Sequence, residues 1–145
     1  MLKLATVKYK VLEGIARADV AYEIYGKSRE ELFANAAEAV TQTMVDVAML
    51  KPVQRLKFKY QNSKLEELLL NFLNELIYLK DADHLLFSNY KIKITKHYHL
   101  NADLWGEKIN PAKHHLRTDI KAITQHKFVI HKSKDHYTAQ VILDI

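Results

Sequence analysis

Between residues 53 and 80 the chain changes its apolar period from two to about three and a half, and few folds accommodate both patterns side by side. Leu56, Phe58 and Tyr60 alternate with Arg55, Lys57 and Lys59, the signature of a half-buried strand over residues 53–60. Immediately afterwards Leu65, Leu68, Leu69, Phe72, Leu73, Leu76 and Ile77 form an i, i+3, i+4 stripe. That stripe predicts a core-packing helix over residues 64–80. The same pairing occurs upstream. Residues 20–25 read as a strand closed by Gly26, and Phe33, Ala36, Ala37, Val40, Met44 and Val47 predict a helix over residues 28–48, broken before Pro52.

Each helix opens on a capping-box pattern, Ser28-Arg29-Glu30-Glu31 and Ser63-Lys64-Leu65-Glu66. The segments Tyr25–Glu31 and Tyr60–Glu66 share Tyr, Ser, a basic residue and Glu at an offset of 35. Either a strand–helix unit is duplicated or two capping boxes coincide. The rest reads as strands: 4–11 ahead of a turn at Glu13-Gly14, then 90–95 with a return at 100–105, a loop from Gly106 to Arg117, and strands at 119–125, 127–132 and 137–143. Two helices amid about eight strands predict an α+β fold, mixed or antiparallel sheets packed around the helices, in one domain spanning residues 1–145.

Composition narrows the chemistry. The chain has no cysteine, which removes disulfide frameworks and thiolate nucleophiles or ligands and fits a reducing compartment. Its three glycines, Gly14, Gly26 and Gly106, are too far apart for a phosphate-cradling loop. No apolar run approaches the ~20 residues of a membrane span, and the N-terminus lacks a signal-peptide core, so the expectation is a cytoplasmic protein. The formal charge of +5, from 22 Lys and Arg against 17 Asp and Glu, is compatible with RNA or with an acidic partner surface.

Candidate sites follow from residue type. His97 and His99 lie two apart, on one face of any strand, and with a third ligand could hold zinc as in a small metallohydrolase. His114 and His115 would point apart on extended chain, and His84, His126, His131 and His136 are scattered. Asp81 and Asp83 fall just past the second predicted helix. Arg55, Lys57, Lys59, Lys91, Lys93 and Lys96 could line a sheet face and follow a phosphate backbone, though they alternate with buried apolar positions rather than with stacking aromatics on their own face. The chain closes on Val141-Ile142-Leu143-Asp144-Ile145. There the Asp144 side chain and a terminal carboxylate on Ile145 could converge on a hard cation such as calcium, magnesium or manganese.

Over essentially its whole length the sequence resembles the archease family. The resemblance rests on Ala18-Asp19-Val20 followed by Tyr25-Gly26, and on Leu73-Asn74-Glu75-Leu76-Ile77-Tyr78-Leu79. It continues through Gly106-Glu107, Pro111 with a following histidine, Lys121-Ala122-Ile123-Thr124-Gln125-His126, and the ending Val141–Ile145. It implies an α+β fold and a cytosolic, non-enzymatic helper of an RtcB-type RNA ligase. Such a helper promotes guanylylation and multiple turnover of the ligase in tRNA splicing and RNA repair, in a metal-dependent way, with only indirect contact to tRNA or other RNA. An older proposal for the family is a chaperone-like modulator of a tRNA methyltransferase, and a direct RNA-binding module is the companion alternative here. The resemblance places a divalent metal, calcium foremost, on Asp19, Asp144 and Ile145, and a functionally required lysine on Lys121. This chain departs from the family pattern, with Ala16-Arg17-Ala18-Asp19 where His-Thr-Ala-Asp is usual, and Ala21 where a glycine follows Asp-Val. Loss of that histidine and threonine predicts weaker metal affinity if they support the site, and Arg17 could compete with the cation for Asp19.

Overall fold

The computed structural model describes residues 7–12 and 19–145. Seven strands and two long helices occur among them: β1 (Tyr9–Leu12), β2 (Asp19–Gly26), α1 (Arg29–Met44), β3 (Gln54–Gln61), α2 (Leu65–Asp83), β4 (Leu85–Thr95), β5 (His99–Lys108), β6 (Ala122–Lys132) and β7 (Tyr137–Asp144). The strands form two antiparallel sheets, ordered β1-β2-β7-β6 and β3-β5-β4. Both helices lie between the sheets, α1 against β2, β7 and β4, and α2 against β6, β4 and β3. The α+β expectation of sheets around two helices holds. The predicted turn at Glu13-Gly14 and residues 4–6 of the first predicted strand lie outside the described residues.

The helices bury apolar surface on two sides. Phe33 of α1 stacks on Phe72 of α2, with centroids 5.9 Å apart and planes 25° apart, and Phe58 of β3 meets Phe72 at 5.9 Å. Both helical phenylalanines are fully buried. Polar ties fix the same layering. The Tyr22 hydroxyl of β2 donates to Thr43 Oγ1 at 2.8 Å, since the Thr43 hydroxyl donates to Ala39 O. The Tyr90 hydroxyl of β4, which donates to Phe87 O at 2.7 Å, lies 3.3 Å from Thr41 Oγ1. On α2, Glu75 accepts from the Tyr60 hydroxyl of β3, whose pKa burial and that carboxylate push up to about 12. Glu66 accepts from Ile130 N of β6 at 3.4 Å.

Several boundaries differ from expectation, each for a local reason. The first helix stops at Met44 instead of 48, because Val45 turns extended and bridges Leu116, after which Asp46 caps a short 3₁₀ turn, Val47–Met49. The second runs on to Asp83, where His84 supplies a left-handed C-cap (φ 55°), so Asp81 and Asp83 belong to the helix. Its expected capping box does not form. Lys64 is the N-cap, without a side-chain cap bond, and Ser63 N donates instead to Asn62 Oδ1. At the first helix Ser28 Oγ does accept from Glu31 N at 3.0 Å, while Glu31 accepts from Lys27 N rather than from the cap itself. The strands of the two strand–helix units nevertheless keep the offset of 35 at both ends, Asp19 to Gln54 and Gly26 to Gln61.

The predicted loop at Gly106–Arg117 begins later, since Gly106, Glu107 and Lys108 continue β5. The two strands expected at 119–125 and 127–132 are one strand, β6, whose pairing with β7 shifts register between Thr124 and Val129. A second register shift lies between Phe87 and Asn89 of β4, opposite Gly106. A Cβ at Gly106 would meet Leu86 O at 1.9 Å and Phe87 Cα at 2.6 Å, backbone atoms that cannot swing aside. Gly106→Ala is therefore expected to cost about 3 kcal/mol, read as a lowered urea midpoint with unchanged m-value.

Candidate functional site

The register of β2 on β7 pairs residues from the two ends of the described chain. Asp19 stands opposite Asp144, and Ala122 of β6 stands opposite Asp144 on the other side. Directly opposed residues in an antiparallel pair share a face, with Cβ atoms about 5 Å apart. The two carboxylates therefore sit side by side on the face that points away from the helices. The neighbouring pair, Val20 and Leu143, packs into the core instead. Neither Asp19 nor Asp144 makes an ion pair with another described residue. Like charges so placed oppose strand pairing, and a cation relieves that repulsion. Ile145 follows at once and is half-buried against the core. Lys121 belongs to the same corner: its N–H donates to Asp144 O at 2.8 Å, and the residue is exposed.

The segment carrying Lys121 is fastened by a residue that sequence reasoning missed. Lys80, near the end of α2, is 7% exposed, and its ammonium contacts Asp119, Asp81 (2.8 Å) and the carbonyl of Ile120 (2.9 Å). Burial pulls its pKa down, but the hydrogen bonds to Asp119 and Asp81 outweigh burial and hold it above the ordinary lysine value. In the sequence Lys80 is simply the basic residue expected in the last turn of a helix. Its reach of some 40 positions along the chain has no local signal.

Glu107 is the second such residue. It accepts from Lys51 N (2.7 Å), from Lys113 Nζ (2.9 and 3.2 Å) and from His114 Nε2 (3.0 Å). His114 Nδ1 accepts from Asn110 N at 2.9 Å, which leaves Nε2 to donate to Glu107. This cluster pins the Asn110–His114 turn to the end of β5, a structural role. Its sequence signal was present in Gly106-Glu107 and the histidine after Pro111, but the chemistry was not. His114 is buried and His115 exposed, in line with their expected divergence.

Other candidates are not brought together. His97 has φ 62° inside the 3₁₀ turn Lys96–Tyr98, so it does not share a strand face with His99. That turn corrects the zinc reading, and among the described residues no group of three or more His, Cys, Asp or Glu could hold a metal. Ala16, Arg17 and Ala18 lie outside the described residues, as does the His126 side chain. Ala21 sits in regular strand opposite Ile142 and is buried, so no glycine is required there. No helix among the described residues is long and apolar enough to cross a membrane.

The carboxylate of Glu107 is lowered from 4.5 to about 2, first by the Lys51 N–H, then by Lys113, with burial opposing and His114 assisting. A depressed carboxylate stabilises the fold above its unfolded value, and that contribution disappears as pH falls from about 4.5 toward about 2. Glu107→Gln is expected to lower stability by about 2 kcal/mol at neutral pH and to flatten the acid limb of a stability-versus-pH curve. An unchanged acid limb would show that other carboxylates set it.

Comparison with known proteins identifies the family and the fold. The sequence model of the "Archease protein family (MTH1598/TM1083)" matches residues 9–145. The protein archease of Sulfurisphaera tokodaii is 34% identical over 129 residues, covering 88% of this chain and 93% of the relative. That of Pyrococcus abyssi is 36% identical over 132 residues with the same coverage. The solution structure of Methanobacterium thermoautotrophicum protein 1598 superposes with a TM-score of 0.83 at 30% identity, over 94% of this chain and 98% of that one. A crystal structure from Thermotoga maritima, described as an "archease, possible chaperone", shares the fold with a TM-score of 0.65 at 22% identity, over 94% of this chain and 98% of that one. The chain belongs to the archease family.

Proposed function

We propose that this protein is a metal-binding accessory factor for an RtcB-type RNA ligase, not itself an enzyme, that promotes guanylylation and multiple turnover of the ligase in tRNA splicing and RNA repair in the cytoplasm. The single observation that carries the reading is the pairing of Asp19 with Asp144 on the outer face at the end of the β1-β2-β7-β6 sheet, with the main chain of Lys121 bonded to Asp144. Two carboxylates with no described ion-pair partner, held by a register that cannot separate them, suit a hard divalent cation. Calcium is the first candidate, with magnesium or manganese as alternatives.

Asp19 and Asp144 supply oxygens from adjacent strands. The family resemblance adds Ile145, next after β7, as a third donor. Lys121 is anchored through its main chain to Asp144, which leaves its exposed ammonium to meet a phosphate or a carboxylate of the ligase. A divalent cation bound here would bring positive charge to the ligase's guanylylation site, where phosphoryl transfer depends on placement and charge neutralisation. Contact with tRNA through this corner would then be indirect.

Two measurements test the reading. Calcium at about a hundred times its dissociation constant should stabilise the protein by about 2.7 kcal/mol, a rise in Tm of about 5–10 °C. Asp144→Asn should abolish that rise while raising the metal-free Tm, because it removes the like-charge pair. In multiple-turnover ligation with the cognate ligase, GTP and a divalent metal, wild-type protein should stimulate at substoichiometric amounts. Asp144→Ala and Lys121→Ala should each lose at least about tenfold of that stimulation. Full stimulation by Asp144→Ala would overturn the metal role. No stimulation by wild type, with suppression of methyltransferase aggregation instead, would move the assignment to a chaperone.

A further inference from the structure

All but one of the basic residues singled out in the sequence line a sheet face, and the structure adds an aromatic to it. In the β3-β5-β4 sheet, Leu56, Phe58, Tyr60, Tyr90, Ile92, Ile94, Leu100, Ala102 and Leu104 pack toward the helices. The alternate residues point outward, in rows set by the register: Arg55–Trp105–Asn89, Lys57–Asp103–Lys91, Lys59–Asn101–Lys93 and Gln61–His99–Thr95. The sole tryptophan of the chain therefore stands on the central strand of the cationic face, between Arg55 and Asn89 and one row from Lys57 and Lys91. This corrects the expectation that no stacking aromatic shares that face. Lys96 lies off it, in the 3₁₀ turn.

The chemistry of the face is lopsided. Arg55 is committed, with its guanidinium 5.3 Å from the Trp105 ring centroid and 3.1 Å from Asp103 Oδ2. Lys57, Lys59, Lys91 and Lys93 are all exposed, and none pairs with a described acid. They form two rails about 10 Å apart, two strand spacings, with successive lysines about 7 Å apart along each. No helix covers them, because both helices lie on the other side of the sheet. The grooves at the Gly26–Tyr137 end of the molecule are cationic too, through Arg29, Lys64 and Lys132, but Glu30, Glu66 and Asp135 share their walls. On the sheet face the only acid in the outward rows is Asp103, and Arg55 already pairs with it.

We propose that this face binds single-stranded RNA. The lysine rails would follow the phosphates, and Trp105, held by Arg55, would offer an indole for base stacking. A flat open sheet with a central aromatic suits unpaired bases, about two or three of them, better than a duplex groove. Asp103 decides between the two sugars. A carboxylate amid a phosphate track repels DNA and RNA alike, but its free lone pairs can accept from a ribose 2′-hydroxyl, which DNA lacks. This surface lies on the other sheet from the Asp19–Asp144 row, so the inference does not rest on the metal reading.

The test uses the full chain, without added metal, and a labelled oligouridylate of about 15 nucleotides. Expected are quenching of the Trp105 fluorescence and a log Kobs against log salt slope of about −3, from about 0.7 per contacted phosphate over four lysines. Lys57→Gln combined with Lys93→Gln should halve that slope. Trp105→Leu should weaken binding about tenfold or more, and Trp105→Phe less. Oligothymidylate of the same length should bind several-fold more weakly, and Asp103→Asn should reduce that preference. Absence of salt-sensitive binding at low ionic strength overturns the proposal, as does an equal loss in the Lys132→Gln control. Equal affinity for oligouridylate and oligothymidylate overturns its RNA assignment. Binding of polyglutamate but not of RNA would mark the face as a dock for an acidic protein instead. Failure of the metal reading would appear only in the calcium titration, and failure of this one only in the RNA titration.

Discussion

Both helices of this fold are buried on two sides, and most of what the molecule can do follows from that. The Phe33–Phe72 contact joins α1 to α2, and Phe58 brings β3 onto the same cluster. Tyr22 and Tyr90, from different sheets, then reach hydroxyls two residues apart on α1. A helix pair sandwiched in this way uses one face of each sheet and leaves the other face of each without a helical cover. Burial of the inner faces supplies the stabilising free energy, at roughly 25 cal/mol per Å² of apolar surface. The outer faces are thereby released to carry charge.

The two outer faces carry different charge. On the four-stranded sheet, antiparallel register sets Asp19 against Asp144, 125 positions apart in sequence but neighbours in the sheet. A slip of one residue would carry both carboxylates to the buried face and Val20 and Leu143 to the outside. The hydrophobic pattern of β2 and β7 therefore enforces an electrostatically unfavourable pair. On the three-stranded sheet the same alternation puts Leu56, Phe58 and Tyr60 inside and the lysines outside. Packing thus fixes the positions of the charges, and the charges do not determine the packing.

This division explains what the sequence could reveal. Alternation and helical periodicity depend on neighbours within a few positions, so β3, α2, β7 and the inward and outward residues of β3 and β4 were legible. The extra turn of α2 was not, because it hangs on His84 adopting φ 55°, a conformation histidine takes only sometimes. The union of 119–125 with 127–132 was not either, because β7 passes beside both halves and tolerates a register shift between them. Site residues divide in the same way. Asp144 stood out from the closing residues themselves, Asp19 and Lys121 only through family resemblance, and their adjacency comes from β2–β7 pairing and the Lys121 N–H bond to Asp144 O. Lys80 and Glu107 act across 39 and 56 positions, to Asp119 and Lys51, and no local period encodes such a reach. Trp105 was visible only as a tryptophan, since its place among the lysines depends on which strands flank β5.

The formal charge of +5 is therefore a poor guide to the surface when taken as a sum. An acidic corner and a basic face on opposite sheets offset one another only in the total, and each acts locally, because exposed charges separated by more than about 8–10 Å of salt solution are largely screened from one another. The thickness of a helical layer, about 10 Å, lies between the sheets. Each face would thus keep the ligand chemistry proposed for it, hard cation on one side and polyanion on the other, without either weakening the other's potential much. A divalent ion bound at Asp19 and Asp144 would change the charge of that corner without neutralising the lysines. A polyanion on the lysine rails would in turn leave the carboxylate row open to its partner. The two proposed charged functions would share one small chain because the helices hold their sheets apart.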